Sequence, residues 1–227
     1  MILKQVLDNG IRVVSECIPS VKSVSIGLWV NVGSRDESEG EYGTSHFLEH
    51  MCFKGTTKRP SFKIISHELD ALGCQYNAFT GHQYTGYYSK GDSKNFKKIF
   101  GIIADVYLNS TLPEKEMEKE KGVIIEEMNM YEDIPQAQVQ DLFEEVLYGD
   151  QPAGRKIVGT KVNINKMKRS DFVDYKKYHY LAANTVIIIA GQVKSSEVYK
   201  EVQKYFNKIK NCKLVKKTKT KEKQSKP

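Results

Sequence analysis

His46, Glu49 and His50, in the run Ser45-His46-Phe47-Leu48-Glu49-His50-Met51, are the residues whose types and spacing best suit chemistry. A helix turns about 100° per residue, so His50 falls about 40° round from His46 and Glu49 about 60° to the other side. All three side chains then share one arc of the helix surface. Two imidazoles at i and i+4 can reach a single cation, and a carboxylate between them is placed to work on a water held by that cation. The competing reading is a surface helix that happens to carry two histidines, and a third ligand has to decide between the two.

The order His-x-x-Glu-His is the zinc-site pattern His-Glu-x-x-His reversed. Carboxylates that could complete it lie on the segment from Glu114 to about Tyr131, which follows Pro113 at a first helical position and carries acids in its first turn. There Glu120 and Glu127 are seven apart and return to one face within about 20°, while Glu126 is turned about 100° from Glu127. Periodicity alone leaves the third ligand open. Cys17, Cys52, Cys74 and Cys212 form no Cys-x-x-Cys pair and read as free thiols, not a disulfide framework or a thiolate metal site. Cys52 would point about 200° away from His50 and reads as core filler. His67 reads as a solvated histidine and His82 as a turn residue.

The elements that must hold these residues follow from spacing and turn residues. Residues 1–6 and 11–16 are strand-like and joined by Asp8-Asn9-Gly10, a hairpin signal, and residues 21–32 form a third, alternating run. After the polar loop 33–40 the motif helix begins, with Thr44 or Ser45 as its expected N-cap. Phe62, Ile65, Leu69 and Leu72 repeat at helical spacing up to Gly73. Strands are expected at 75–79 and 83–89, and helices at 94–109, 114–131 and 136–147. A Gly-Pro-rich crossing at 149–154 precedes a helix at 166–178, a strand at 184–190 and a last helix ending near 209. Early hairpins and later helices indicate an α+β fold with a mostly antiparallel sheet of about five or six strands packed with helices.

The 227 residues are 40% hydrophobic and 28% charged, an ordinary globular composition. The formal charge of +7 suggests a nucleic-acid or membrane partner until its location is considered. Residues 213–227 hold seven lysines against one acid, Glu222, so nearly all of the excess sits in this tail. The basic balance therefore points to neither partner, and 211–227 reads as a linker or frayed end after a domain at 1–210. No apolar run approaches a membrane span and residues 1–20 lack a signal-peptide pattern, so a cytoplasmic protein is expected.

With Lys54-Gly55-Thr56 and Val123-Ile124-Ile125-Glu126-Glu127-Met128, the motif resembles the pitrilysin/insulinase family of zinc peptidases, including the mitochondrial processing peptidases and their bacterial homologues. The likeness also takes in Asp8-Asn9-Gly10-Ile11-Arg12-Val13, Gly33-Ser34-Arg35-Asp36-Glu37, Asn77-Ala78-Phe79-Thr80, Pro152-Ala153-Gly154-Arg155 and Ala190-Gly191, in order along nearly the whole chain. It implies a zinc ion held by His46, His50 and a distal glutamate. Glu127, 77 residues after His50, stands at the family's spacing, which selects it over Glu126. Glu49 then acts as general base on a zinc-bound water, and Glu120, grouped with it as catalytic, is the acid that supports the site.

The resemblance also implies an extended peptide substrate lying along an edge strand at 75–80, with Asn77, Ala78 and Phe79 as substrate-binding positions. It makes the chain the N-terminal half of a two-domain peptidase whose second homologous domain or partner subunit, as in a dimer, completes the enzyme. A mitochondrial-matrix role is the other compartment it allows. The alternatives are an inactive or partner-dependent structural subunit, a self-sufficient small protein, and an interaction module built on the lysine tail.

Overall fold

The computed structural model describes residues 2–211, 217 and 219–221. Cys212 and most of the lysine-rich tail lie outside these residues. The first hairpin pairs β1 (Ile2–Val6) with β2 (Arg12–Cys17), and Gly10 takes φ 93°, a left-handed turn conformation that suits glycine. β3 (Ser23–Val30) buries Val24, Ile26, Leu28 and Val30 on one face and turns Trp29 to the other, as a period of two requires. β4 (Gln75–Thr80) and β5 (Thr85–Asp92) follow, and β6 (Thr185–Gly191) returns late in the chain.

The sheet runs β1-β2-β6-β3-β5-β4, with β6 parallel to β2 and every other pairing antiparallel. This is the mostly antiparallel α+β sheet expected, and β4 is its edge. Eight α-helices accompany it among the described residues. α1 (Thr44–Cys52), α2 (Phe62–Ala71) and α3 (Phe96–Asn109) lie between strands in sequence, and α4 (Glu114–Glu132) and α5 (Pro135–Tyr148) follow them. α6 (Lys161–Lys166), α7 (Arg169–His179) and α8 (Ser195–Phe206) complete the set. α1, α3 and α8 pack against strands of the sheet. The core they share includes Phe47, Leu48, Met51, Ile99, Ile103, Val198 and Val202, all at 0% exposure.

Three local expectations differ from the structure. The N-cap of α1 is Gly43 at φ 95°, not Thr44 or Ser45. A Cβ at Gly43 would meet the Val158 carbonyl at 2.7 Å, so the close approach of the 158–159 segment selects glycine. The expected helix from 166 is two helices, α6 and α7, because Met167 is buried in an extended conformation between them (ψ 137°). Thr160 caps the first through Asn163, and Asp171 accepts the Lys168 N–H to start the second. The strand expected at 83–89 starts only at Thr85, since the Gly81 N–H donates to the Tyr84 carbonyl and closes a turn.

Among the described cysteines, Cys17 is exposed, Cys52 buried and Cys74 half-buried, all unpaired as thiols. No helix of the described residues is long and apolar enough to cross a membrane.

Candidate metal centre

α1 carries the motif, and its entry is fixed by a residue the sequence did not single out. The buried Glu37 carboxylate accepts the backbone N–H groups of Gly43 (2.8 Å) and Ser45 (2.7 Å), satisfying donors that a helix start leaves over. Burial raises its pKa to about 8 against those hydrogen bonds. On the far side Ser45 Oγ bonds Tyr175 Oη (2.7 Å) and Phe47 stacks edge-on to Phe172, so α7 clamps the helix.

α4 presents Met117, Glu120, Ile124 and Met128 as its buried stripe, which places one carboxylate, Glu120, inside an otherwise apolar contact with α1. Glu120 accepts a hydrogen bond from His50 Nδ1 (2.9 Å) and pairs with Lys54 Nζ (2.6 Å). That bond assigns the Nδ1 proton to the Glu120 side and leaves His50 Nε2 as a lone-pair donor on the other. His50 Nε2 and His46 Nε2 each stand 3.6 Å from Glu127 Oε2. The donor atoms of His46, His50 and Glu127 all lie within 4.8 Å of one another. Glu126, one residue away, is exposed.

Ligands about 2.0–2.2 Å from one tetrahedral ion stand about 3.3–3.6 Å apart. The two imidazole-to-carboxylate separations meet that requirement, and two nitrogens with one oxygen form a donor set that suits zinc. The residues present fit the ion. His46 is held differently from His50: its Nδ1 is buried and has no hydrogen-bond partner among the described residues, so packing alone orients it.

Electrostatics follow from this burial. His46 is lowered to about 3 by burial and by the neighbouring His50, so its ring is neutral and available as a ligand. His50 is also penalised by burial, yet the Glu120 hydrogen bond and the Glu49 and Glu127 charges win and raise it. For Glu120 the balance runs the other way: burial raises its pKa, but His50 and Lys54 bring it below the usual carboxylate range. Glu49 is raised by burial, opposed by a hydrogen bond from Thr80 Oγ1 (2.8 Å).

A cavity of about 610 Å³ opens at this cluster, and Glu49 lies on its wall. Asn77, Ala78, Phe79 and Thr80 of the edge strand line one side. The Phe79 ring itself packs on Trp29 (4.9 Å between ring centroids) and near Tyr84, on the sheet face opposite Ala78. Across the cavity α5 contributes Gln140, Asp141 and Glu144. No lysine or arginine lines it among the described residues, so the carboxylates give it a negative field that attracts cations.

His82 does more than turn the chain. Its Nδ1 meets Ser34 Oγ (2.9 Å) and its Nε2 meets Glu144 Oε2 (2.8 Å), tying the 33–36 loop to α5. Sequence reasoning missed this tie, along with Thr80 and Glu37, because each depends on residues distant in the chain. Lys54, two residues past the end of α1, reaches back to Glu120 from the turn that leaves the helix.

Residues 12–161 match the family model described as Insulinase (Peptidase family M16). The chain belongs to that family. Residues 166–227 match a second M16 model, the "Peptidase M16 inactive domain". An "Uncharacterized zinc protease" of Rickettsia bellii is 41% identical over 203 residues, covering 89% of this chain and 49% of the relative. The "Mitochondrial-processing peptidase subunit beta" of Rattus norvegicus is 40% identical over 200 residues, 88% of this chain and 40% of the relative. The chain thus spans about half the length, or less, of these relatives. Among solved M16-like folds, the periplasmic protease PqqL from Escherichia coli superposes with a TM-score of 0.89 at 22% identity, over 99% of this chain and 26% of that one. A peptidase M16 inactive domain from Pseudomonas fluorescens reaches 0.88 at 14% identity, over 96% of this chain and 53% of that one. The M16 fold is therefore common to proteins named as proteases and to one named as an inactive domain, and fold alone does not decide activity.

Proposed function

We propose that this chain is the zinc-binding domain of an M16 endopeptidase acting on extended or unfolded peptides. The carrying observation is the convergence of His46, His50 and Glu127 donor atoms within 4.8 Å at the head of a cleft bordered by an edge strand. Zinc held by these three residues would supply Lewis-acid chemistry, polarising a carbonyl and acidifying water. Glu49, raised in pKa and facing the same cavity, takes the proton from the attacking water and returns it to the leaving amine. Glu120 holds His50 in the required tautomer and orientation. The free edge of β4 at Asn77 to Phe79 offers main-chain hydrogen bonds to an extended substrate, as in strand addition.

In this reading residues 1–210 form the zinc domain and 211–227 lead towards a second homologous domain, in the same chain or on a partner subunit. That second half completes the grip on the substrate, since a misplacement of about 1 Å costs about 100-fold in rate. An inactive, partner-dependent subunit is the second reading, favoured by the "inactive domain" match over 166–227. The two readings separate in the full-length protein by metal analysis and peptide cleavage. About one zinc per chain, with cleavage lost but zinc kept in Glu49→Gln, is expected. Metal-free wild-type protein, or undiminished hydrolysis in Glu49→Gln, would overturn the proposal.

A further inference from the structure

A second cavity, of about 420 Å³, shares no lining residue with the metal cleft. One side of α7 forms much of it: Arg169, Val173, Lys176 and Lys177 recur at i, i+4, i+7 and i+8, while the other side of the helix holds Phe172 and Tyr175 against α1. The opposite wall is the end of α3, with Leu108 and then Ser110.

The charged residues that line the cavity are all cations, Arg169, Lys176 and Lys177, and no carboxylate faces them among the described residues. Arg169 is anchored, donating Nε–H to the Leu112 carbonyl (2.9 Å) and a terminal N–H to the Thr111 carbonyl (3.0 Å). Lys176 is the unusual member. Its amine reaches inward to Ser110 Oγ, lies 5.8 Å from the centroid of the Tyr180 ring, and forms no ion pair with a described residue. Ser110 leads on to Cys52 Sγ (3.7 Å), which continues to Tyr87 Oη (3.5 Å) and Tyr180 Oη, a buried chain of neutral groups. Burial pushes the Lys176 pKa down, the response of an ammonium without a counter-charge.

We propose that this cavity is a binding site for a small amphiphilic anion, its carboxylate or phosphate head on Lys176, Ser110 and Lys177 and its short apolar body against Leu108, Leu112 and Ile209. The head supplies the missing negative charge, and the apolar walls exceed what a bare anion would fill. Phosphate and carboxylate heads share this chemistry, and the two are separated by the probes used.

The test titrates full-length protein with hexanoate, hexyl phosphate and inorganic phosphate, reading calorimetric binding and protection of Lys176 from acetic anhydride by mass spectrometry. Saturable binding of at least one six-carbon anion is expected, with Lys176 acetylation slowed at least tenfold at saturation. Lys176→Met should weaken binding at least tenfold, and Ser110→Ala less. A response to hexanoate alone assigns a carboxylate ligand, and a response to hexyl phosphate alone a phosphate monoester. Inorganic phosphate binding as well as hexyl phosphate would overturn the amphiphile assignment. Absence of binding by wild-type protein, or equal binding by a Lys176→Met protein with native circular dichroism, would overturn the site itself. These readouts do not depend on peptidase activity.

Discussion

Replacing Glu120 isolates the contribution of a residue that touches neither the metal nor the substrate in the proposed arrangement. In Glu120→Ala, His50 Nδ1 loses its 2.9 Å acceptor and Lys54 Nζ its 2.6 Å partner, both around a carboxylate only 5% exposed. A charge-assisted hydrogen bond of this kind contributes about 1.5–3 kcal/mol. The part of it that reaches zinc binding is the cost of the imidazole rotating or changing tautomer before the ion arrives. Losses of this type run to about 10- to 100-fold in metal affinity, or about 1.4–2.7 kcal/mol, which agrees with the bond estimate. Glu120→Gln should lose less, because the amide oxygen still accepts the Nδ1 proton while the charge disappears. Competition against a chromophoric zinc chelator measures all three proteins on one scale. The predicted order of affinity is wild type, then Gln, then Ala. Wild-type affinity in Glu120→Ala would refute the argument that this carboxylate sets the His50 donor.

Three further outcomes follow from the same geometry. Glu37→Ala leaves the Gly43 and Ser45 N–H groups buried without an acceptor and should cost about 1–3 kcal/mol in chemical denaturation, whereas a cost under about 0.5 kcal/mol would show that the cap is dispensable. Thr80→Val removes the hydrogen bond that favours ionised Glu49, so the acid limb of the pH–rate profile for the proposed peptide cleavage by the full-length protein should move up by as much as about one pH unit; an unmoved limb would separate Glu49 from that limb. His46 titrates near 3 in the fold against an ordinary value of 6.5, so the unfolded chain takes the proton first and stability is lost as pH falls through that window. Metal-free protein should accordingly lose about 2 kcal/mol more between pH 6.5 and 5 than a His46→Asn variant, by denaturant titration at each pH.

Much of the architecture was legible because period and punctuation agree with the fold. The alternation of Val24, Ile26, Leu28 and Val30 marked a one-sided strand, and Asp8-Asn9-Gly10 marked the hairpin. The histidine pair and the Glu120–Glu127 face follow from helix geometry, and both helices exist where expected. What the sequence could not give was long-range. Nothing local to Glu37 says that it will cap a helix that starts seven residues later, since the Gly43 and Ser45 N–H groups it accepts are six and eight residues on, across the turn that enters α1. His82 looked like a turn residue because its partners, Ser34 and Glu144, lie 48 and 62 residues away. The break between α6 and α7 arises from burying Met167, a tertiary demand that helical propensity around it does not reveal.

The position of β6 sets a timetable for synthesis. β2 and β3 are consecutive in sequence but do not pair; β6, from Thr185, lies between them and is hydrogen-bonded to both. Until that strand leaves the ribosome, the inner edges of β2 and β3 have no partner, although every proposed zinc ligand has already been made. At about 5–20 residues per second the interval from Val30 to Thr185 lasts roughly 8 to 30 s. During it two open strand edges are exposed to other chains, a recognised hazard for aggregation. A nascent chain stalled before Thr185 therefore carries His46, His50 and Glu127 without the completed sheet, and assembly of the proposed metal centre awaits β6, the last strand among the described residues.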